Sequence, residues 1–359
     1  MISLVKNLGR VGWVAASALL VSIIWVNEPA FSQDSFYKGK TLVIIQGRRP
    51  GGLGDLRTRA TMTRLSKFIP GNPTIVTQYM PGAGGRKAAN HLYQKARRDG
   101  LTLANIGSGF VSNGITGAAG VNYDVDKFNF LGSGNSNTTY VFVTRTEAGF
   151  DNIKKLRKGP VRLGTLSVGH EIYTLARLFS WIIGLEKVTF VPGYSGPELD
   201  LAVTRGEVDG RVNNPASMMR RSPDWVLKNK AVLHSIMEIP SGYRLSPHPA
   251  FKKPPSLLSF TTTNQQREIL KMQTNFRLVG SPYIAPPGVP KERIKILEEA
   301  FRKVFKDPGT EKEWVKFTGE EYHPLLPEDQ QAAVKSIPRS KEILALYKRI
   351  SGAGPLPKR

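Results

Sequence analysis

The sequence predicts an α/β protein of two domains, and three observations carry that reading. Short β-branched apolar runs alternate with segments of helical periodicity, a pattern of α/β layers on largely parallel sheets. Two of these runs turn into helices through glycines. Thr41-Leu42-Val43-Ile44-Ile45 leads into Pro50-Gly51-Gly52-Leu53-Gly54-Asp55, and Thr74-Ile75-Val76-Thr77 leads into Met80-Pro81-Gly82-Ala83-Gly84-Gly85. Third, once a leader is set aside, about 325 residues remain, more than one domain commonly holds.

The leader is residues 1–32. Lys6 and Arg10 form a basic start, residues 11–26 are uncharged and mostly apolar, and Ala30-Phe31-Ser32 offers small residues to a signal peptidase. A signal peptide cleaved after Ser32 is the expectation. The alternative is an uncleaved anchor, but the apolar run falls short of the roughly 20 residues a span requires. The reading therefore places the mature protein in the periplasm.

Each element follows from local pattern. A strand over 41–47 precedes a helix over 53–68. A strand over 74–79 precedes a helix over 86–96, which sets Ala89, Leu92, Tyr93 and Ala96 on one face. The turn Arg98-Asp99-Gly100 opens a strand over 101–106, and chain rich in glycine, serine and asparagine follows to Gly134. Residues 140–144 are again β-rich. Strands are then expected over 161–163, 187–191, 208–212 and 231–237. Helices are expected over 172–183 and over 197–204, the latter with Pro197 in its first turn. Residues 241–258 are proline-rich and read as loop. Helices return over 265–274, 291–305, 310–317 and 328–336, and residues 352–359 read as a mobile end.

Composition removes several classes of function. The chain has no cysteine, which excludes disulfides, thiol catalysis and cysteine metal ligands. Its net charge is +23, or +22 once Lys6, Arg10 and Glu28 leave with the leader. That balance would suit nucleic acid, an anionic membrane or an acidic solute. The cations, however, come as scattered pairs, among them Arg48-Arg49, Arg97-Arg98, Lys154-Lys155 and Arg220-Arg221, with no nucleic-acid-binding motif beside them. Nucleic acid is not an expected partner, and most of this charge reads as solvated surface.

Catalytic signatures are missing as well. Neither glycine turn carries the lysine and hydroxyl residue of a P-loop, and Arg57 stands where a dinucleotide fingerprint needs its third glycine. Neither Ser167 nor Ser195 sits in a nucleophile elbow. His170-Glu171 lacks a second histidine at Thr174 for a zinc-protease helix, and the five histidines lie far apart. No cofactor and no metal is expected. Asp55 and Asp209 read as turn or cap formers before they read as bases, and Glu171 as a complement to a helix dipole. A glycine turn at a helix start leaves free N–H groups at the positive end of the dipole, which attract anions. Two such turns point to a small anionic solute; a secreted two-domain α/β enzyme acting on a small anionic substrate is the alternative.

These residues resemble the receptors of tripartite tricarboxylate transporters, the Bug-type extracytoplasmic solute-binding proteins. The resemblance lies in Phe36-Tyr37-Lys38-Gly39-Lys40-Thr41, Pro50-Gly51-Gly52-x-x-Asp55, Ile69-Pro70-Gly71-Asn72-Pro73 and Met80-Pro81-Gly82-Ala83-Gly84-Gly85. It continues through Ala88-Ala89-Asn90-x-x-Tyr93, Gly193-Tyr194-x-Gly196, Arg205-Gly206-Glu207-Val208-Asp209-Gly210 and Ala285-Pro286-Pro287-Gly288-Val289-Pro290, spanning about residues 36–308.

The resemblance implies a two-domain periplasmic binding protein, type II-like, with two crossover strands near 140–145 and 278–285 and a ligand in the interdomain cleft. Domain 1 would take 33–143 and 279–359, and domain 2 would take 144–278. It implies a small carboxylate-bearing ligand, delivery to the membrane subunits of a tripartite tricarboxylate-type transporter, and no turnover. Carried over, Gly51, Gly52 and Asp55 form the first ligand loop and Gly82, Ala83 and Gly84 the second. Ser167, Val168, Gly169 and His170 stand at the family's Gly-x-Gly-Ser/Thr turn, with Ser167 for its first glycine and His170 at its hydroxyl position. Asp209 is also expected at the site. Arg48 and Arg49 replace the commoner small or apolar residues before the first loop, and either suits a carboxylate.

Overall fold

The structure, a computed structural model, describes residues 36–136, 138–239 and 248–359. The expected leader, the start of the mature chain and much of the proline-rich segment lie outside the described residues. In chain order the elements of the first part are β1 (Thr41–Gln46), α1 (Leu53–Leu65), β2 (Thr74–Tyr79), α2 (Arg86–Gln94), β3 (Thr102–Asn105), α3 (Gly109–Thr116) and β4 (Asn129–Phe130). The next part comprises β5 (Thr138–Arg145), α4 (Ile153–Lys158), β6 (Pro160–Gly164), α5 (Glu171–Ile183), β7 (Lys187–Val191), α6 (Gly196–Arg205), β8 (Gly210–Asn213), α7 (Pro215–Arg221), α8 (Asp224–Leu227) and β9 (Ala231–Ile239). Then come α9 (Asn264–Leu278), β10 (Tyr283–Ala285), α10 (Lys291–Lys306), α11 (Pro308–Thr318), α12 (Pro327–Lys335) and α13 (Lys341–Ser351).

The strands form two five-stranded sheets, ordered β2-β1-β3-β10-β4 and β7-β6-β8-β5-β9. Both are mixed rather than largely parallel. β1 runs parallel to β2 and β3, and β6 parallel to β7 and β8, as strands joined by crossover helices do. β10 is antiparallel to β3 and β4, and β5 to β8 and β9. β5 brings the chain into the second sheet and β10 returns it to the first, so each enters against the direction of its neighbours.

Burial follows the sequence pattern. β5 is buried on both faces: Tyr140 and Phe142 join the cluster with α5, whereas Val141 and Val143 pack with Leu199 and Val203 of α6. α10 lays Leu297, Phe301, Val304 and Phe305 against Tyr283 and Leu103 of the first sheet.

Two departures from expectation matter. The chain after β3, read only as rich in glycine, serine and asparagine with no helix expected, contains α3, whose Phe110 and Val111 are fully buried. The C-terminal end, expected to be mobile, is docked. Arg177 of α5 donates to the carbonyls of Ile350 and Gly354, and Arg359 donates to the Ile182 carbonyl.

Candidate functional site

A cavity of about 330 Å³ opens between the two sheets, where loop 47–52 and Pro81-Gly82 face the N-terminal ends of α5 and α6. Of the expected residues, Arg48, Arg49, Gly52, Gly82, Ser167 and His170 line it. Gly51, Asp55, Ala83, Gly84, Val168, Gly169 and Asp209 are not on its wall.

For Asp55, Asp209, Gly84 and Gly169 the structure gives the reason. Asp55 is fully buried beneath the first loop, where its carboxylate accepts from the Gly51 amide (2.9 Å), Gln46 Nε2 (2.8 Å) and the Tyr79 hydroxyl (2.8 Å). Burial pushes its pKa up, but these donors and Arg59 outweigh it and hold the carboxyl below its usual range. Asp55 thus fixes the loop's shape. Asp209 sits away from the cleft, bound by the backbone and guanidinium of Arg162. Gly84 and Gly169 form a seam between the two parts. A Cβ on Gly84, whose φ is +64°, would lie 2.1 Å from the Gly169 carbonyl carbon. Gly84 N donates to Ser167 Oγ at 3.1 Å, and Asn113 Nδ2 to the Gly169 carbonyl at 3.0 Å. The second glycine turn therefore presents Gly82 to the cavity and uses Gly84 for close approach.

Of the arginines that line the cavity, Arg48 is the one without an ion pair among the described residues. Gly52 caps α1 without a side-chain hydrogen bond, so the positive end of that helix opens on the cleft. Arg48 lies across its first turn, filling the space a Cβ on Gly54 would need. Its Nη2 is buried without a hydrogen-bond partner, and no carboxylate among the described residues lies within ion-pairing distance of Arg48. Burial lowers its pKa, with Glu171 opposing. A cation on a positive dipole end, with no carboxylate in ion-pairing range, is a place where an anion would be stabilised.

Three other arginines in or beside the cleft wall each pair with a carboxylate of their own. Arg57 makes a bidentate pair with Glu320, both contacts at 2.7 Å, and Arg49 pairs at 3.1 Å with Glu198 across the mouth of the cleft, both side chains being about half exposed. Arg277, fully buried, donates to Glu171 and to Ser108 Oγ and packs over the Tyr140 ring. Burial raises the Glu171 pKa, but Arg277 and then His170 hold it below its usual range.

His170 caps α5, its Nδ1 accepting from the Ile172 amide at 3.1 Å. Accepting there puts the ring proton on Nε2. Burial pushes its pKa down to about 4, so near neutral pH it is an uncharged donor.

Sequence reasoning missed several lining residues: Tyr140, Asn213, Asn214, Ser217, Arg211 and Arg221. The last two share Asp200 of α6, and Asn213 donates to the same carboxylate. Tyr194 and Gly196, also on the wall, stand inside a motif quoted for the family resemblance, which was the available signal. Arg221 had none, because Arg220-Arg221 looks like any other surface pair. Among the described residues no cluster suited to a metal ion is found.

No protein-family model matches the sequence, and no curated protein matches it either. Solved structures do match in fold. The chain is similar to a structure described as a periplasmic transporter (20% identity, TM-score 0.63, covering 88% of this chain and 97% of that one). It is also similar to the periplasmic binding protein BugD (17%, 0.65, 88% and 99%) and to MatC from Rhodopseudomonas palustris with bound malate (16%, 0.63, 87% and 99%). The fold is that of two-domain periplasmic binding proteins, Bug-type structures among them, and at this level the resemblance in the motifs is met.

Proposed function

We propose that this chain is a periplasmic receptor of the tripartite tricarboxylate type. It binds a small organic anion between its two lobes and delivers it, unaltered, to a membrane transporter. The observation that carries the proposal is Arg48: a cation on the positive end of α1, in a cavity of ligand size, with no carboxylate within ion-pairing distance among the described residues. A carboxylate docked there would accept from the guanidinium and lie at the α1 N-terminus, while His170 Nε2 and Ser167 offer uncharged contacts from the opposite wall. In this reading residues 1–32 export the protein and the lobes divide near 143/144 and 278/279. Both the docked C-terminal end and the placement of β5 in the second sheet draw those segments toward the second lobe. The fold supports the reading too, since its solved relatives include receptors of this type and one of them holds malate.

A thermal-shift screen of aliphatic carboxylates, amides and aromatic acids tests it. At least one carboxylate should raise the melting temperature progressively with concentration, as mass action requires. If no anion stabilises the protein and a solute is chemically consumed instead, the enzyme alternative takes its place.

A further inference from the structure

The base of the first lobe, the end of its sheet away from the cleft, carries an excess of positive charge. β1, β2 and β3 run parallel toward the cleft, and the chain after each of them lines the cavity, so their first residues lie at the opposite end. Three segments meet there: residues 36–41 before β1, residues 95–101 before β3 and residues 286–295 at the start of α10. The Tyr37 hydroxyl donates to the Gly100 carbonyl at 3.4 Å, and Arg293 Nη1 to the Asp99 carbonyl at 2.9 Å. The Arg293 guanidinium also lies 3.7 Å over the Phe36 ring, and a Cβ on Gly288 would stand 3.0 Å from Arg98 Cδ.

These segments hold eight cations and two acids, Asp99 and Glu292, so six positive charges are left over. Lys38, Lys40, Arg97, Arg98, Lys291 and Lys295 are exposed, and none of the six has an ion pair among the described residues. The base of the second lobe is built the other way. Around the starts of β6, β7 and β9, four exposed lysines each meet an acid: Lys155 meets Asp151 (2.7 Å), Lys158 meets Glu186 (2.6 Å), Lys228 meets Asp224 (3.0 Å) and Lys230 meets Glu147 (3.7 Å). One base supplies its cations with partners from the chain itself, and the other leaves them for a partner from outside.

We infer that the base of the first lobe is a docking surface for anionic lipid headgroups, those of the membrane across which the chain is exported. The receptor then rests on that membrane with its cleft turned outward. Two observations favour lipid over an acidic protein. Phe36 is part of this face, and the expected cleavage point after Ser32 lies four residues earlier, about 14 Å of chain at most, so the face is held against the membrane while the leader is still in it. The six cations are also dispersed, and neither cavity described at the cleft or beside the C-terminal end includes them. A fluid layer of headgroups can rearrange to meet such a set, which a rigid acidic pocket filler cannot. The inference rests on the reading of residues 1–32 as an export leader and is independent of the solute that fills the cleft.

Vesicle flotation with the chain lacking residues 1–32 tests it. Vesicles of phosphatidylethanolamine and phosphatidylglycerol, in a ratio of about 7:3, should carry the protein upward at low salt, and vesicles of phosphatidylcholine alone should not. Salt raised toward about 1 M, where the screening length is about 3 Å, should release it. Lys38→Gln, Lys40→Gln, Arg97→Gln and Lys291→Gln combined should weaken the partition about tenfold or more. Lys155→Gln, Lys158→Gln, Lys228→Gln and Lys230→Gln combined remove the same net charge from the other base and should weaken it less than about threefold. None of these eight positions lines the cavity, so both variants should keep wild-type affinity for whichever anion the thermal-shift screen finds, and the unfolding midpoint checks the fold. No binding to the anionic vesicles, equal loss in the two variants, or equal binding to phosphatidylcholine overturns the inference and leaves the cleft reading standing. So does binding confined to vesicles that hold a transporter's membrane subunits, which would assign the face to an acidic protein surface. Vesicle binding as expected, with no anion stabilising the protein, would instead overturn the receptor and leave the docking surface.

Discussion

Replacing Arg48 by glutamine should move affinity and stability in opposite directions. In the ligand-free protein the Arg48 guanidinium is largely buried, lies against the positive end of α1 and has no carboxylate partner among the described residues. A charge at the wrong end of a helix costs about 0.3–1 kcal/mol, before any cost of desolvation. Arg48→Gln removes that cost, so the ligand-free protein should gain about 1–3 °C in melting temperature. With ligand bound, the same group makes a charge-assisted hydrogen bond worth about 1.5–3 kcal/mol, so its loss should raise Kd about tenfold to about 150-fold. The control is Arg49→Ala. Arg49 is half exposed and already paired with Glu198, and such pairs contribute about 0.2–1 kcal/mol, so the change should stay below about fivefold. Calorimetry supplies Kd, and differential scanning calorimetry of protein stripped of ligand in urea and refolded supplies the midpoint. An Arg48→Gln variant that binds within twofold of wild type, or that melts several degrees lower without ligand, would show that Arg48 is a structural cation and not the anion contact.

Two further outcomes follow from the same geometry. Gly84→Val should hold the lobes apart, because its Cβ would stand 2.1 Å from the Gly169 carbonyl carbon at a φ of +64°. Affinity should fall more than tenfold and the radius of gyration in X-ray scattering should no longer shrink on ligand addition; wild-type affinity would mean the seam is not needed for binding. Stability should fall as pH drops from about 6.5 toward 4, because burial pushes His234, whose Nε2 lies 2.8 Å from Thr144 Oγ1, down to about 4. The unfolded chain takes up that proton first, so the stabilisation is complete above 6.5 and lost on acidification, by about 1.4 kcal/mol per pH unit for this imidazole. Urea unfolding of His234→Phe should show a shallower pH slope across that window, and an unchanged slope would remove His234 from the account.

The fold was legible where local and global signals agree. β1 with α1 and β2 with α2 each join a β-branched run to a glycine turn, α2 and α10 add a clear helical period, α10 has a proline at its boundary, and each forms close to its expected limits. α3 was not legible, because Gly109, Asn113 and Gly114 are poor helix formers and only the burial of Phe110 and Val111 holds it. α13 was legible in principle, since Ile343, Leu346, Tyr347 and Ile350 recur at helical spacing. The antiparallel directions of β5 and β10 could not be read from strand composition, which carries no sign of neighbour direction.

The site divides along the same line. Arg48, next to a glycine turn, lines the cavity, whereas Asp55 and Gly84 lie off its wall, Asp55 holding the first loop and Gly84 the seam. Arg97-Arg98 and Arg220-Arg221 are indistinguishable as dipeptides. What separates them is the phase of α7, which leaves Arg220 exposed and turns Arg221 toward Asp200 and the cavity. The overall charge of +23 gave no guidance either, because the quantity that selects a ligand is local. The carboxylates of Glu171, Glu198, Asp200 and Glu320, placed on α5, α6 and the segment after α11, pair with arginines in or beside the cleft wall. The acids therefore decide how much positive charge is left for a solute, and they do so from positions mostly behind the wall. Neutralising one of them would change the charge the cleft presents without altering any arginine that lines it.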